Sequence, residues 1–252
     1  MAAAYDAGRG LEPLVVETWR ALVTPYLSDL HPWPILDLGA GTGRFSAHLV
    51  DWSGGTLVAV EPAAPMARQI ATRGSATVDV AVGTAESIPL RDASVGAAWL
   101  SQVIHHFRDL DLAACELARV LRPGGRVLIR GSFGRRDPLP VRPPDFVLYR
   151  YFPAAERLAN TFPTRQRVLE AFGSAGFIEE RSTRVWQTTT TSLRSLYERT
   201  ATRADSTLAA LDDDCFAAGL AALERDAHAE TTPHPVMDLL DFMVLRTPHR
   251  RG

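Results

Sequence analysis

The 252-residue chain carries a formal net charge of −2, and all 27 of its basic residues are arginine. The absence of lysine excludes Schiff-base catalysis, a lysine general base and the phosphate lysine of a Walker A loop, while the near-neutral balance argues against nucleic-acid binding. With 46% hydrophobic and 22% charged residues the composition is that of a soluble globular α/β protein, and the longest apolar runs, such as Val95 to Leu100, fall far short of the roughly 18 residues of a membrane span.

Met1 to Gly10 lacks a basic region followed by an apolar one, so a cytoplasmic location without a membrane partner is expected. From there, strand-like runs alternate with helix-like ones in the pattern of βαβ units around a parallel sheet. Ile35 to Leu38 reads as a strand, Arg44 to Asp51 as a helix, Thr56 to Val60 as a second strand and Pro65 to Arg73 as a second helix. Thr77 to Val82 and Val95 to Ser101 read as the third and fourth strands, and Leu110 to Leu121 as a helix that Pro123, Gly124 and Gly125 end before a fifth strand, Arg126 to Ile129. After Ser132 the alternation breaks into a stretch rich in proline, arginine and aromatics. Helix and strand return at Thr164 to Ala175 and Phe177 to Thr189, two helices are expected within Ser192 to Ala229, the second opening at Asp212 to Asp214, and Val236 to Arg246 reads as a last strand. Cys115 and Cys215 stand alone, with no spacing that suits a disulfide framework or a metal site.

The sharpest local feature is Asp37-Leu38-Gly39-Ala40-Gly41-Thr42-Gly43, set between a strand and a helix, where glycines let backbone approach a ligand at the carboxyl edge of a sheet. The dinucleotide pattern G-x-G-x-x-G would put its third glycine where Arg44 stands, which opposes a nicotinamide oxidoreductase. Glu61 falls at the end of the second strand, 22 residues after Gly39, where a carboxylate can accept from both hydroxyls of a ribose. The loop and the acid together point to a nucleoside ligand without a pyrophosphate.

Five blocks in order now define a resemblance: YDAGR at Tyr5 to Arg9, ILDLGAGTGRF at Ile35 to Phe45, VAVEPAAPM at Val58 to Met66, GTAESIPLRDASVGAAW at Gly83 to Trp99, and RVLRPGGRVLI at Arg119 to Ile129. Together they resemble the class I S-adenosylmethionine-dependent methyltransferases, in particular the ubiquinone and menaquinone C-methylating (type 11) group. The resemblance implies a doubly wound, mostly parallel, seven-stranded Rossmann-like sheet in a single domain over residues 1–252. Its core would lie at about 30–132, 164–189 and 236–246, and a helical substrate cap would be formed by insertions at about 133–163 and 190–235. It also implies that S-adenosyl-L-methionine is the cofactor. Gly39, Ala40 and Gly41 would line its methionine part, Asp37 would order the loop, and Glu61 would hold the ribose with Pro62 and Met66 along the adenine. Thr84, Ala85 and Glu86 would meet the adenine edge, with Thr84 standing where the family usually has aspartate. Ser101 and Gln102 would neighbour the methionine amino group, and Tyr5 and Arg9 match an N-terminal lid whose arginine pairs with the cofactor carboxylate.

Methyl transfer from a sulfonium is an in-line displacement in which positioning can supply roughly 7 to 11 kcal/mol of the barrier, and a general base about 10²- to 10⁴-fold in rate. Without lysine, the base must be His, Asp, Glu or Tyr. His105 and His106, in SQVIHHF after the fourth strand, face the transferring methyl in the resembled fold, and His106 is the preferred candidate. Tyr149, Tyr151 and Asp145 rank second, and Arg135, Arg136, Arg142 and Arg150 either recognise an acidic group of the acceptor or form a solvated surface. The expected activity is transfer of a methyl group to oxygen, carbon or nitrogen of a small hydrophobic or aromatic metabolite, by a monomer or homodimer. The alternative is a cofactor-binding or cyclase-like protein on the same fold that transfers no methyl.

Overall fold

Pro13 opens an element that the patterning above does not foresee. In the computed structural model, which describes residues 12–73, 75–134 and 147–248, helix α1 (Pro13–Val23) starts on this proline, whose missing N–H is no loss in a first helical turn. Its buried stripe Val15, Trp19, Val23 recurs every four residues. Trp19 is fully buried, edge-on to Trp99 at 6.1 Å and to Phe242 at 5.7 Å. Trp19→Ala is therefore expected to cost about 3–5 kcal/mol, read as a lowered midpoint in urea unfolding.

The alternating units follow in chain order: β1 (Ile35–Leu38), α2 (Ser46–Ser53), β2 (Leu57–Val60), α3 (Ala64–Thr72), β3 (Val78–Ala81), β4 (Val95–Ser101), α4 (Leu110–Val120) and β5 (Leu121–Gly131). Five shorter helices and one longer helix then frame two long strands: α5 (Val147–Tyr151), α6 (Pro153–Ala159), α7 (Arg165–Ser174), β6 (Ile178–Thr190), α8 (Leu193–Ala201), α9 (Ser206–Ala209), α10 (Asp213–Ala229) and β7 (Val236–Arg246). The seven strands form one sheet in the order β3-β2-β1-β4-β5-β7-β6, with β1 to β5 parallel and β7 antiparallel to both neighbours.

Several expected boundaries move for identifiable reasons. The first helix after the glycines begins at Ser46 rather than Arg44, because Gly43 and the turns before it keep the chain in left-handed backbone. The fifth strand begins at Leu121: Val95 pairs with Leu121 and Ala97 with Arg126, so the Pro-Gly-Gly segment is an irregularity inside the strand rather than a turn ahead of it. The Ser192 to Ala229 stretch holds three helices, not two. Asp205 caps α9 by accepting from the Thr207 N–H at 2.9 Å, and Asp212 caps α10 by accepting from the Cys215 N–H at 2.8 Å. Residues 147–159, read only as an aromatic insertion, contribute α5 and α6.

The period of two in the strands sorts side chains to the two sheet faces. Leu36, Leu38, Ala98, Leu100, Val127 and Ile129 pack with α4 and α7 on one face. Ile35, Leu57, Ala59, Ala97, Trp99, Leu128 and Phe242 pack with α1, α2 and α3 on the other. A third apolar cluster lies above the sheet edge, where Tyr151, Phe152, Leu196, Leu208, Leu211, Leu223 and Val236 draw α5, α6, α8, α9 and α10 together.

Candidate active site

On the face that packs against α1, four of the strands lead into a polar side chain that continues an apolar column. Asp37 follows Ile35 by two residues, Glu61 follows Ala59, Ser101 follows Trp99 and Arg130 follows Leu128. Parity alone therefore lines up two carboxylates, a hydroxyl and a guanidinium along the carboxyl edge, the edge where open α/β sheets bind ligands. This row opens into a cavity of about 540 Å³ that the glycine loop shares with His105, His106, Tyr149, Phe162 and residues of β6, α8, α9 and β7.

The loop is fixed by its backbone. Gly39 has φ 69° and donates its N–H to the Val60 carbonyl at 2.8 Å, and a Cβ there would stand 2.3 Å from Val103 Cγ2, so no other residue fits. Gly41, at φ 59°, donates its N–H to Glu61 Oε2 at 2.8 Å, and Ala63 donates to Glu61 Oε1 at 2.9 Å where α3 begins. Each Glu61 oxygen thus accepts one backbone bond, and an ionised carboxylate, with about four acceptor sites, keeps one more on each. Gln102 follows β4 at φ 55°, a conformation that costs a non-glycine residue about 1 kcal/mol or more and clusters at functional sites.

Asp37 is buried, and Ser46 Oγ donates to its Oδ2 at 2.7 Å. Burial pushes its pKa from the ordinary 3.8 up to about 7; the Ser46 bond opposes this and the nearby Glu61 charge adds to it. Folding thus strengthens proton binding here. The stabilisation is whole below about pH 4, where unfolded and folded forms are both protonated, and is lost as the pH rises through about 7. Relative to Asp37→Asn, the wild type is expected to lose on the order of 4 kcal/mol between pH 4 and pH 8, measured by urea unfolding at each pH; a constant difference would show that Asp37 does not titrate in this window.

At the far end of the cavity the His105 ring stacks on Phe162 with centroids 4.0 Å apart and lies 4.1 Å from the His106 ring, both carried by a short helical turn, Ile104–His106. Asp238 on β7 also lines it. Thr189 Oγ1 donates to its Oδ2 at 2.5 Å, and burial raises its pKa despite that bond and the nearby Arg199 and Arg130 charges.

Of the residues singled out in the sequence, Asp37, Gly39, Ala40, Gly41, Glu61, Pro62, Met66, Ser101, Gln102, His105, His106 and Tyr149 line this one cavity. Thr84, Ala85 and Glu86 do not: Ala85 packs into the core, and Glu86 Oε1 accepts from the N–H groups of Arg108 at 2.7 Å and Asp109 at 3.3 Å. Tyr151 is likewise turned away, donating to Asp226 at 2.7 Å, its pKa pushed up to about 12 first by burial and then by that carboxylate. Arg150 lies over the Tyr151 ring, outside the lining. Tyr5, Arg9, Arg135, Arg136, Arg142 and Asp145 lie outside the described residues. Sequence reasoning missed Arg130, Thr189, Arg199 and Asp238. A signal existed for Arg130, an arginine in phase with Leu128 on the apolar face of a buried strand, but none for Thr189 and Asp238, which the long β6–β7 pairing brings to the cavity, or for Arg199, which α8 carries there. Among the described residues no group of three or more His, Cys, Asp or Glu is placed to hold a metal ion, and no helix is long and apolar enough to cross a membrane.

Residues 36–129, the segment that builds β1 to β5 and the glycine loop, match a family model described as a methyltransferase domain. Over this segment the chain is similar to methyltransferase domains. Three relatives are similar to this chain. Uncharacterized methyltransferases of Mycobacterium bovis and Mycobacterium tuberculosis are 46% identical over 124 residues, 49% of this chain and 47% of theirs. A malonyl-acyl-carrier-protein O-methyltransferase of Methylococcus capsulatus is 32% identical over 185 residues, 71% of this chain and 64% of its own. The chain thus spans about half the length of the mycobacterial relatives it matches. Among solved structures, a protein of Anabaena variabilis provisionally assigned as a methyltransferase from an antibiotic biosynthesis pathway superposes with a TM-score of 0.72 at 23% identity, covering 95% of this chain and 99% of that one. The cyclase SpnF superposes at a TM-score of 0.61 and 21% identity, covering 96% and 85%. At these identities the structures share the fold, a seven-stranded, mostly parallel Rossmann-like methyltransferase sheet.

Proposed function

We propose that the protein is an S-adenosylmethionine-dependent methyltransferase acting on oxygen, carbon or nitrogen of a small hydrophobic or aromatic molecule, with a place in specialised metabolism. The observation that carries this is the single cavity that joins the Asp37–Gly43 loop and Glu61 to His105 and His106. Its volume of about 540 Å³ lies within the usual range for small-molecule sites, roughly 300–1,000 Å³. The donor set fits the cofactor: Glu61 keeps one acceptor position on each oxygen for a vicinal diol, the Gly39–Gly41 backbone permits close approach, and Pro62 and Met66 offer an apolar wall for a base.

When bound, the cofactor supplies an electrophilic methyl on a positively charged sulfur. The chain's own work is placement. Residues 147–159 and the helices between β6 and β7 act as the substrate cap, with Leu148, Tyr149 and Phe162 walling the acceptor end against water. His106 takes the proton from the acceptor atom, and His105, held by its stack on Phe162, orients that wall. Incubation with methyl-labelled S-adenosylmethionine and a panel of phenols, carboxylic acids, amines and acidic carbon compounds is expected to label at least one class. Tight cofactor binding with no labelled product across the panel would overturn the assignment in favour of a non-methylating binding protein or cyclase-like catalyst.

A further inference from the structure

Arg130 is the cation of the strand-end row, 3% exposed and lining the cavity. A guanidinium taken out of water is costly unless its donors and charge are accommodated. Here Nη1 donates to Ser101 Oγ at 3.1 Å and Nη2 to Gln187 Oε1 at 2.7 Å, an oxygen that also accepts from Trp19 Nε1 at 3.0 Å. The guanidinium carbon sits 4.8 Å from the Trp19 ring centre and 5.2 Å from that of Phe45, in cation–π range of both. Phe45 ends the glycine loop and Ser101 ends β4. The two contacts therefore pin the charge between the two segments that the resemblance sets at the methionine end of the cofactor.

We propose that Arg130 binds the carboxylate of the cofactor's amino-acid end, a role that rests on the cofactor assignment above. A planar fork on a rigid strand, packed between rings, is pre-organised for a carboxylate. Other arginines lining the cavity are placed differently. Arg203 spends its fork on Asp213 at 2.6 Å and on the Leu208 and Leu211 carbonyls, and Arg199 donates to the Thr189 carbonyl at 3.1 Å from the cap side. Arg44 lies at the outer end of the loop, half-buried.

The test is calorimetric and needs no acceptor. S-adenosylhomocysteine and its decarboxylated analogue differ only by the carboxylate, so the ratio of their dissociation constants isolates that group. In the wild type the intact ligand is expected to bind about 10- to 100-fold tighter, the range of a charge-assisted bond. In Arg130→Gln that ratio falls to near one through weakening of the intact ligand, while the analogue keeps its affinity; in Arg44→Gln the ratio stays as in the wild type. A ratio unchanged in folded Arg130→Gln, or one that collapses in Arg44→Gln instead, overturns the proposal. If Arg130→Gln does not fold, Arg130→Lys, which keeps the charge and loses the fork, is expected to lower the ratio, and an unchanged ratio there overturns it equally. Failure of the wild type to bind either compound would sink the cofactor assignment itself, an outcome distinct from both.

Discussion

Glu61→Ala is expected to weaken binding of S-adenosylhomocysteine by at least about 100-fold while the protein stays folded. Two hydrogen bonds from a ribose diol to an ionised carboxylate are worth about 1.5–3 kcal/mol each, and a loss of about 3 kcal/mol is already more than a hundredfold in affinity. The structure adds a second cost. Glu61 ties the Gly41 N–H to the start of α3 through Oε2 and Oε1, so truncation releases the loop that must approach the ligand as well as the group that holds it. Glu61→Gln separates the two effects. One of its terminal atoms becomes a donor facing a backbone N–H, so either Gly41 or Ala63 loses its acceptor while the side-chain volume is kept. Isothermal titration with each variant, alongside unfolding curves, reads both. Affinity unchanged in Glu61→Ala would remove the residue from the site.

The second large effect is kinetic. His106→Ala is expected to lower kcat by about 10²- to 10⁴-fold, the range of a general base, while the dissociation constant of S-adenosylhomocysteine moves by no more than about threefold. The comparison with His105→Ala sharpens this. His105 is committed to a ring stack at 4.0 Å on Phe162, so its removal is expected to raise KM for the acceptor more than it lowers kcat. Equal losses of turnover and cofactor affinity in His106→Ala would make it a binding residue and move the search for a base to Asp238, whose carboxylate shares the cavity and whose pKa burial already raises. Both measurements use the acceptor class identified by the labelled-methyl screen.

The Asp37–Gly43 loop, Glu61 and the five parallel strands around them were legible in the chain because each depends on neighbours close in sequence. A glycine with positive φ, an acid at a fixed distance after a strand, and an apolar run bounded by turns carry their own signals. That local information was enough to specify the sheet's edge and the glycines and acid that stand on it. It was not enough for α1, whose four-residue stripe is short and whose Trp19 is explained only by Trp99 and Phe242, about 80 and 223 residues away. Nor did it show where Thr84 to Glu86 go: Thr84 is exposed, Ala85 packs into the core and Glu86 accepts from the Arg108–Asp109 backbone.

The missing lysines determined from composition alone that every permanently charged cationic side chain near this site is an arginine, and they named the residue types open to proton transfer. Which arginine stands buried at the cavity's edge was decided by tertiary structure. Strand parity puts Arg130 on the α1 face, and β4, β6 and two aromatic rings from distant segments bury it beside the glycine loop. The same holds for Asp238, brought to the cavity by a strand that enters the sheet antiparallel and last. Sequence encodes such a site through local backbone and pattern, but the charges that complete it come from pairings whose partners are fixed only when the whole sheet closes.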